Sequence, residues 1–296
     1  MELTTFEHNY KYYFDNLQNE SACAIMPEIC HIIIMYAIDP PTKLSEWVDP
    51  KYLYWCYLSK NPAAISYLEK NMRNVNWYYL SVNPAAIYMM EQNMDRVNMA
   101  RVSRNPKAGK LLASPEYSSC HVYYWLSKNP AAIDILARNL DKVSKYGLSK
   151  NPAAIWILRK HPEYIDWDGL SANPAAIDMI EQNLDKVNWR QLSKNPAAIH
   201  LLSANQSKIH WDMLSANPEA IDLIEKNMDK INWINISKNP AAIHIIRDSL
   251  LLERNSLSHF VWVNLSKNPA IFEPDTDEII KIYNKYKGEN LNSKEL

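Results

Sequence analysis

Serine and asparagine are both residue types that catalytic sites use, and here they recur together as Ser-x-Asn-Pro ten times in 296 residues. The asparagines are Asn61, Asn83, Asn105, Asn129, Asn151, Asn173, Asn195, Asn217, Asn239 and Asn268, and seven of the nine intervals are 22 residues long. A catalytic residue is needed once and not ten times. The recurrence therefore reads as architecture. Asparagine before proline is a helix start, because the side-chain oxygen accepts an orphan N–H of the first turn and proline at the next position loses no bond. Stacked asparagines would also pair turn backbone that burial cuts off from water.

Other chemistry-bearing residues do not assemble. Cys23, Cys30, Cys56 and Cys120 form no C-x-x-C and match no zinc module, so they read as free thiols in a reducing compartment. His200 and His244 hold the same repeat position two units apart, roughly 20 Å at a helix-stacking distance of about 10 Å, too far to share a metal. Four glycines leave no dinucleotide fingerprint or phosphate loop. No nucleophile, acid–base pair or metal set stands apart from the repeat, so neither catalysis nor a cofactor is expected. Charge is balanced, 32 basic against 33 acidic residues, without the basic excess of a general nucleic-acid binder. The most apolar stretch, residues 22–38, is interrupted by Pro27, Glu28 and His31 and is too short to span a bilayer. No signal peptide is visible, and an intracellular protein is expected.

Two columns remain as candidates for contact with a partner. The residue between serine and asparagine is basic in seven units: Lys60, Arg104, Lys128, Lys150, Lys194, Lys238 and Lys267. Stacked, these form a basic column along which a nucleic-acid backbone or an acidic partner could lie. Acidic columns (Glu69, Glu91, Glu181 and Glu225, with Asp95, Asp141, Asp185 and Asp229) run nearby, which suits a mixed solvated surface equally well. The second column follows the tryptophan position and varies between units. It holds Tyr57, Tyr78, Tyr79, Tyr124, Trp125 and Tyr146 in the first half, then Asp168, Arg190, Gln191, Asp212, Ile234 and Asn235. An array keeps its core and varies its binding face, and aromatic residues are enriched at hot spots. Tyr78, Tyr79, Tyr124 and Trp125 are expected on one partly exposed face.

A fixed period of 20 to 50 residues marks a stacked repeat. In the unit 188–209, apolar residues at Ala198, Ile199 and Leu202 have helical spacing, and Trp189 and Leu192 are three apart, where a strand needs two. Each unit is expected to be a helix of about nine residues from the proline plus a short one from the tryptophan, too short to be stable alone. Asn205 is placed at a left-handed helix stop, and Asn76, Asn98, Asp166, Asn188, His210 and Asn232 cap the short helix. The tryptophans Trp55, Trp77, Trp167, Trp189, Trp211, Trp233 and Trp262 are expected in the core.

The chain thus reads as an all-α protein, an α-solenoid (superhelical array) of ten two-helix repeats of about 22 residues, some 90–100 Å along its axis at roughly 10 Å per unit. Residues 1–49 form an N-terminal helical cap with a worn half-repeat from about residue 39, 50–272 the array, 273–287 a C-terminal cap helix started by Asp275, and 288–296 a disordered tail. Two irregular places, around Gly109 and near Leu251, mark insertions.

The octapeptide Leu-Ser-Lys-Asn-Pro-Ala-Ala-Ile, followed by Ile-Glu-x-Asn-x-Asp-Lys-Val-Asn-Trp, resembles the short tandem-repeat proteins that giant DNA viruses encode in many copies, over about residues 50–272. The resemblance implies a viral protein in the host cytoplasm or the virion. The architecture is also similar to leucine-rich variant repeats, α/3₁₀ superhelices that can hold an iron–sulfur cluster; the cysteines here do not follow that clustering. Met26-Pro27-Glu28-Ile29 resembles the opening of an F-box. Three functions follow as expectations: a non-enzymatic scaffold binding a protein along its variable face, an adaptor reaching a host ubiquitin ligase through its N-terminus, or a nucleic-acid binder using the lysine column.

Overall fold

The computed structural model describes residues 4, 6–12, 40–114, 122–252, 259–282 and 284. It is mostly helical, built from short helices that repeat with the Ser-x-Asn-Pro period. Among the described residues, six units hold one helical segment more than expected. In the representative unit these are an α-helix Trp189–Leu192, a 3₁₀ turn Pro196–Ala198 running into an α-helix Ile199–Ala204, and a second 3₁₀ turn Gln206–Lys208. The nine-residue helix read from the sequence is therefore two kinds of helix in series. Asn195 Oδ1 accepts from the Ala197 N–H at 3.0 Å, which fixes the first turn as the tight 3₁₀ form.

Two expected caps are corrected. Asn205 is not left-handed (φ −130°, ψ 51°), and no described non-glycine residue has positive φ. Its side-chain amide instead donates to the Leu201 carbonyl at 2.9 Å, satisfying a helix-end acceptor from within. Asn71, Asn93, Asn139, Asn183 and Asn227 do the same to the carbonyls four residues earlier. His210 does not cap its helix, whereas Asn76, Asn98, Asp166, Asn188 and Asn232 do.

The core follows from the period. Leucine three residues after the tryptophan position, the second alanine of Pro-Ala-Ala, and an apolar residue on the following helix are almost fully buried from unit to unit, as with Leu192, Ala198 and Leu202. The tryptophans are not in the core proper. Trp55, Trp77, Trp167, Trp189, Trp211 and Trp262 are half-buried against it, and Trp233 is 40% exposed. A cation nineteen residues further along lies over several of these rings: Arg96 over Trp77 at 4.9 Å, Lys186 over Trp167 at 5.2 Å, Lys208 over Trp189 at 4.5 Å and Lys230 over Trp211 at 4.8 Å. The stop asparagine steadies the lid, since Lys186 and Lys230 donate to Asn183 and Asn227. The motif Asn-x-Asp-Lys-Val-Asn-Trp thus closes one helix and covers a ring. Lys230→Ala should cost about 1 kcal/mol and red-shift Trp211 emission, with Lys226→Ala as the control that does neither.

Units are joined by side chains acting on the backbone of their neighbours. Each of the ten asparagines donates from its side-chain amide to two carbonyls of the preceding unit, as Asn151 does to Ser127 (3.2 Å) and Asn129 (3.0 Å). The buried serine adds a second tie, Ser193 Oγ accepting the His210 N–H at 3.0 Å while donating to Trp189. At the ends, the open array expected from the sequence is not what forms. Asn61 donates to Ser266 (3.2 Å) and Asn268 (3.0 Å), and the Tyr54 N–H donates to Ser266 Oγ at 3.1 Å. The asparagine bonds are those of every interior junction and the serine bond that of all but the ninth, so unit ten stands before unit one and the asparagine ladder has no free end.

A clasp covers this junction, in the two strands that an all-helical reading missed. β1 (Thr42–Leu44) pairs antiparallel with β2 (Phe272–Pro274), Leu44 opposite Phe272. The Ser45 N–H donates to Ile271 and the Asp275 N–H to Pro41. Helix 276–282 follows, its start capped by Asp275, which accepts from the Glu278 N–H at 3.3 Å. Among the described residues no helix is long and apolar enough to cross a membrane.

Candidate functional site

The two candidate columns turn out to share one surface. Both leave the short helix and the Ser-x-Asn turn at its end, so the residue before asparagine reaches the rings of its own unit and the next. Lys128 lies over Tyr124 at 4.3 Å, over Trp125 at 5.3 Å and over Tyr146 of the following unit at 5.0 Å. Arg104 lies over Trp125 from the other side of the junction at 4.1 Å. Lys267 lies over Tyr57 at 4.0 Å, a contact that exists only because the last unit adjoins the first. Tyr57 meets Tyr79 edge-on at 5.8 Å, Tyr79 meets Tyr78 at 5.4 Å, and Trp125 meets Tyr124 at 4.8 Å. Tyr78 is 49% and Tyr124 50% exposed, while Tyr57, Tyr79, Trp125 and Tyr146 are half-buried beside them.

Arg101 joins this surface and was not singled out in the sequence. Its guanidinium stacks on Tyr78 at 4.1 Å and reaches Tyr79 at 5.7 Å. It occupies the variable position two residues after Met99, in one of two units that lack the aromatic landmark, and that position was the available signal.

In the second half the same positions turn largely polar, with Ile234 an exposed exception. Asp168 and Asp212 accept from Asn188 and Asn232, the cap residues of the next unit, at 2.7 and 3.1 Å. Gly147 and Gly169 stand where Tyr57, Tyr79 and Trp125 stand in other units. A Cβ at Gly147 would come within 2.7 Å of Ser127 Cβ, and one at Gly169 within 2.4 Å of the Tyr146 carbonyl. The helices Lys145–Lys150 and Trp167–Ser171 therefore approach too closely for a side chain. Gly109, the glycine that the sequence marked out, meets only ordinary contacts at 3.6 Å.

Five of the cations carry a common electrostatic signature. Burial, then the charges of Arg104, Lys267 and Arg101, hold the Lys60 ammonium below the usual lysine range. Burial and then Lys194 and Lys128 do the same to Lys150, and burial and then Lys194 to Lys238. Lys267 is lowered by burial and Lys238, against a small opposite effect of Cys56. Arg104 is lowered by burial and Arg101, with Tyr78 and Tyr124 opposing. Lys60, Lys194 and Lys238 still keep open access to solvent. Among the described residues none of the seven basic residues forms an ion pair.

The remaining features are dispersed. His200 pairs with Glu181 and His244 with Glu225 on the exposed face of the longer helices. Among the described residues no group of three or more His, Cys, Asp or Glu could hold a metal. Cys56 is a half-buried free thiol; Cys23, Cys30 and Cys120, and the segment Met26 to Ile29, lie outside the described residues. A cavity of about 660 Å³ lies between helix 6–12 and the proline turns, lined by Phe6, His8, Pro62, Pro84, Tyr88 and Lys107. Comparison with protein-family models, with curated proteins and with solved structures returns no match.

Proposed function

We propose that the protein is a non-enzymatic binding scaffold that receives a partner protein on the cation–aromatic surface of its first five units. The observation that carries this reading is the pairing of Tyr78 and Tyr124, half exposed, with Arg101 stacked on the first and Lys128 on the second, while Arg104 stacks on Trp125 beside them. Rings held by cation–π contacts lose little freedom on binding, and large amphipathic side chains next to arginine are the usual composition of a hot spot. Such a surface suits a partner segment bearing carboxylates beside apolar side chains. The resemblance to viral repeat proteins supports a partner met inside an infected cell.

A photo-crosslinking amino acid at position 78 or 124 tests the surface. Adducts are expected from both positions and not from position 156, where Trp156 is 53% exposed on the other helix of its unit. Adducts from 156 alone would move the binding face. The ubiquitin-ligase adaptor reading rests on residues outside the described structure, and no described contact favours it.

A further inference from the structure

The basic column is not a line but a circle, and that changes what it can hold. A column on an open array presents charge along a track. Here Lys60 follows Lys267 as directly as any unit follows its predecessor, because Asn61 and Asn268, their chain neighbours, share a ladder bond of 3.0 Å. Around the circle the charges act from neighbour to neighbour. Arg104 and Lys267 act on Lys60, Arg104 and Lys128 flank the Trp125 ring, Lys128 and Lys194 act on Lys150, Lys194 acts on Lys238, and Lys238 acts on Lys267.

Several of these partners are two units apart, with only Val82, Ala172 or Ala216 at the intervening position. Two steps along a hydrogen-bonded ladder span on the order of 10–12 Å, whereas two steps along packed helix axes span about 20 Å. Each basic residue directly precedes an asparagine whose ladder bond to the neighbouring asparagine carbonyl measures 2.8–3.3 Å, so the seven positions lie on the closely spaced ladder side of the circle. No carboxylate is among the charges acting on Lys60, Arg104, Lys150, Lys238 or Lys267. Seven converging cations without counter-charges oppose their own folding unless an anion joins them.

We infer that the closed circle of Lys60, Arg104, Lys128, Lys150, Lys194, Lys238 and Lys267 is a binding site for a compact polyphosphate, a small molecule carrying several phosphate groups around one centre. A circle of converging charge matches such an anion better than a linear strand, which needs a track with two open ends. The site does not depend on the partner reading above, since its second half lies away from the exposed tyrosines.

Calorimetry and thermal unfolding of the full chain with inositol hexakisphosphate test it, with inorganic phosphate at equal total phosphorus and a single-stranded oligothymidylate as comparisons. Binding of one hexakisphosphate per chain is expected, with a clear rise in Tm that inorganic phosphate does not reproduce. The variant Lys150→Gln/Lys194→Gln/Lys238→Gln should bind at least tenfold more weakly while folding as well as the parent, because it removes repulsion. Lys226→Gln should bind as the parent does. Loss of affinity in the triple variant with cross-linking from positions 78 and 124 intact would separate this site from the partner surface. No hexakisphosphate binding, or equal loss in Lys226→Gln, overturns the inference; tighter binding of the oligothymidylate would assign the circle to a nucleic-acid strand instead and overturn it too.

Discussion

Asn61→Ala is expected to destabilise the protein by about 3–5 kcal/mol, as much as Asn151→Ala, in urea unfolding followed by circular dichroism. The figure comes from what each change leaves behind. At position 151 the Ser127 carbonyl loses the donor it has from Asn151, the Ala153 N–H loses its cap, and a side chain's volume empties at a fully buried site. The Asn129 carbonyl keeps the Ala132 N–H and adds little. Position 61 has the same inventory: the Ser266 carbonyl, the Ala63 N–H and a fully buried side chain. Were the first unit the free end of an open array, its asparagine would act only as a helix cap, worth about 1 kcal/mol. Equal costs at the two positions establish the closed ladder in solution; a cost at Asn61 near the cap value would refute it.

The second large effect is steric. Gly169→Ala should cost about 3 kcal/mol, the upper part of the range for overpacking a tight interior. The new Cβ would sit 2.4 Å from the Tyr146 carbonyl oxygen and 3.1 Å from Ser149 Cβ. A backbone carbonyl cannot rotate aside as a side chain can, so the two short helices must separate. The better helix propensity of alanine, worth up to about 1 kcal/mol, offsets only part of this. Gly109→Ala is the paired control, since its Cβ meets nothing closer than 3.6 Å. It should be neutral or stabilising by about 0.5 kcal/mol, through the unfolded chain. Differential scanning calorimetry of the two variants checks both signs. If Gly169→Ala melts with the parent, the close approach of these helices is wrong.

Features set within a few residues were legible from the sequence, and those set by relations between distant units were not. Asn-Pro as a helix start, the helical spacing of apolar positions such as Ala198 and Leu202 and the capping asparagine before tryptophan each depend on one short segment, and the structure holds all of them. The left-handed stop at Asn205 failed because a side-chain amide can satisfy the same carbonyl without changing backbone handedness. The tryptophans looked like core because burial of large rings is the common case; the lysine nineteen residues later, visible in the period, was the missing clue. Closure left a subtler trace. Ser59-Lys60-Asn61 and Ser266-Lys267-Asn268 carry the full interior signature, where open arrays end in units with a polar outer face.

The glycines teach the same lesson. Gly109 drew notice because it broke a motif, yet Gly147 and Gly169, at one repeat position in consecutive units, were the ones the packing requires. On the candidate surface, the aromatic and basic columns were each visible as columns. That they interleave depends on the direction in which the Ser-x-Asn turn points, which no spacing in the sequence states.

The clasped junction between Asn268 and Asn61 also freezes the copy number of the repeat. In a closed assembly the rotation from one unit to the next must complete a full turn, here about 36° on average over ten units. Open arrays tolerate gain or loss of a unit by unequal recombination, since every remaining junction is untouched. A nine- or eleven-unit descendant of this chain would have to re-bend all its junctions together or leave both core ends bare. Point changes at exposed positions remain free, so variation in such a protein is channelled into its surface and away from its length.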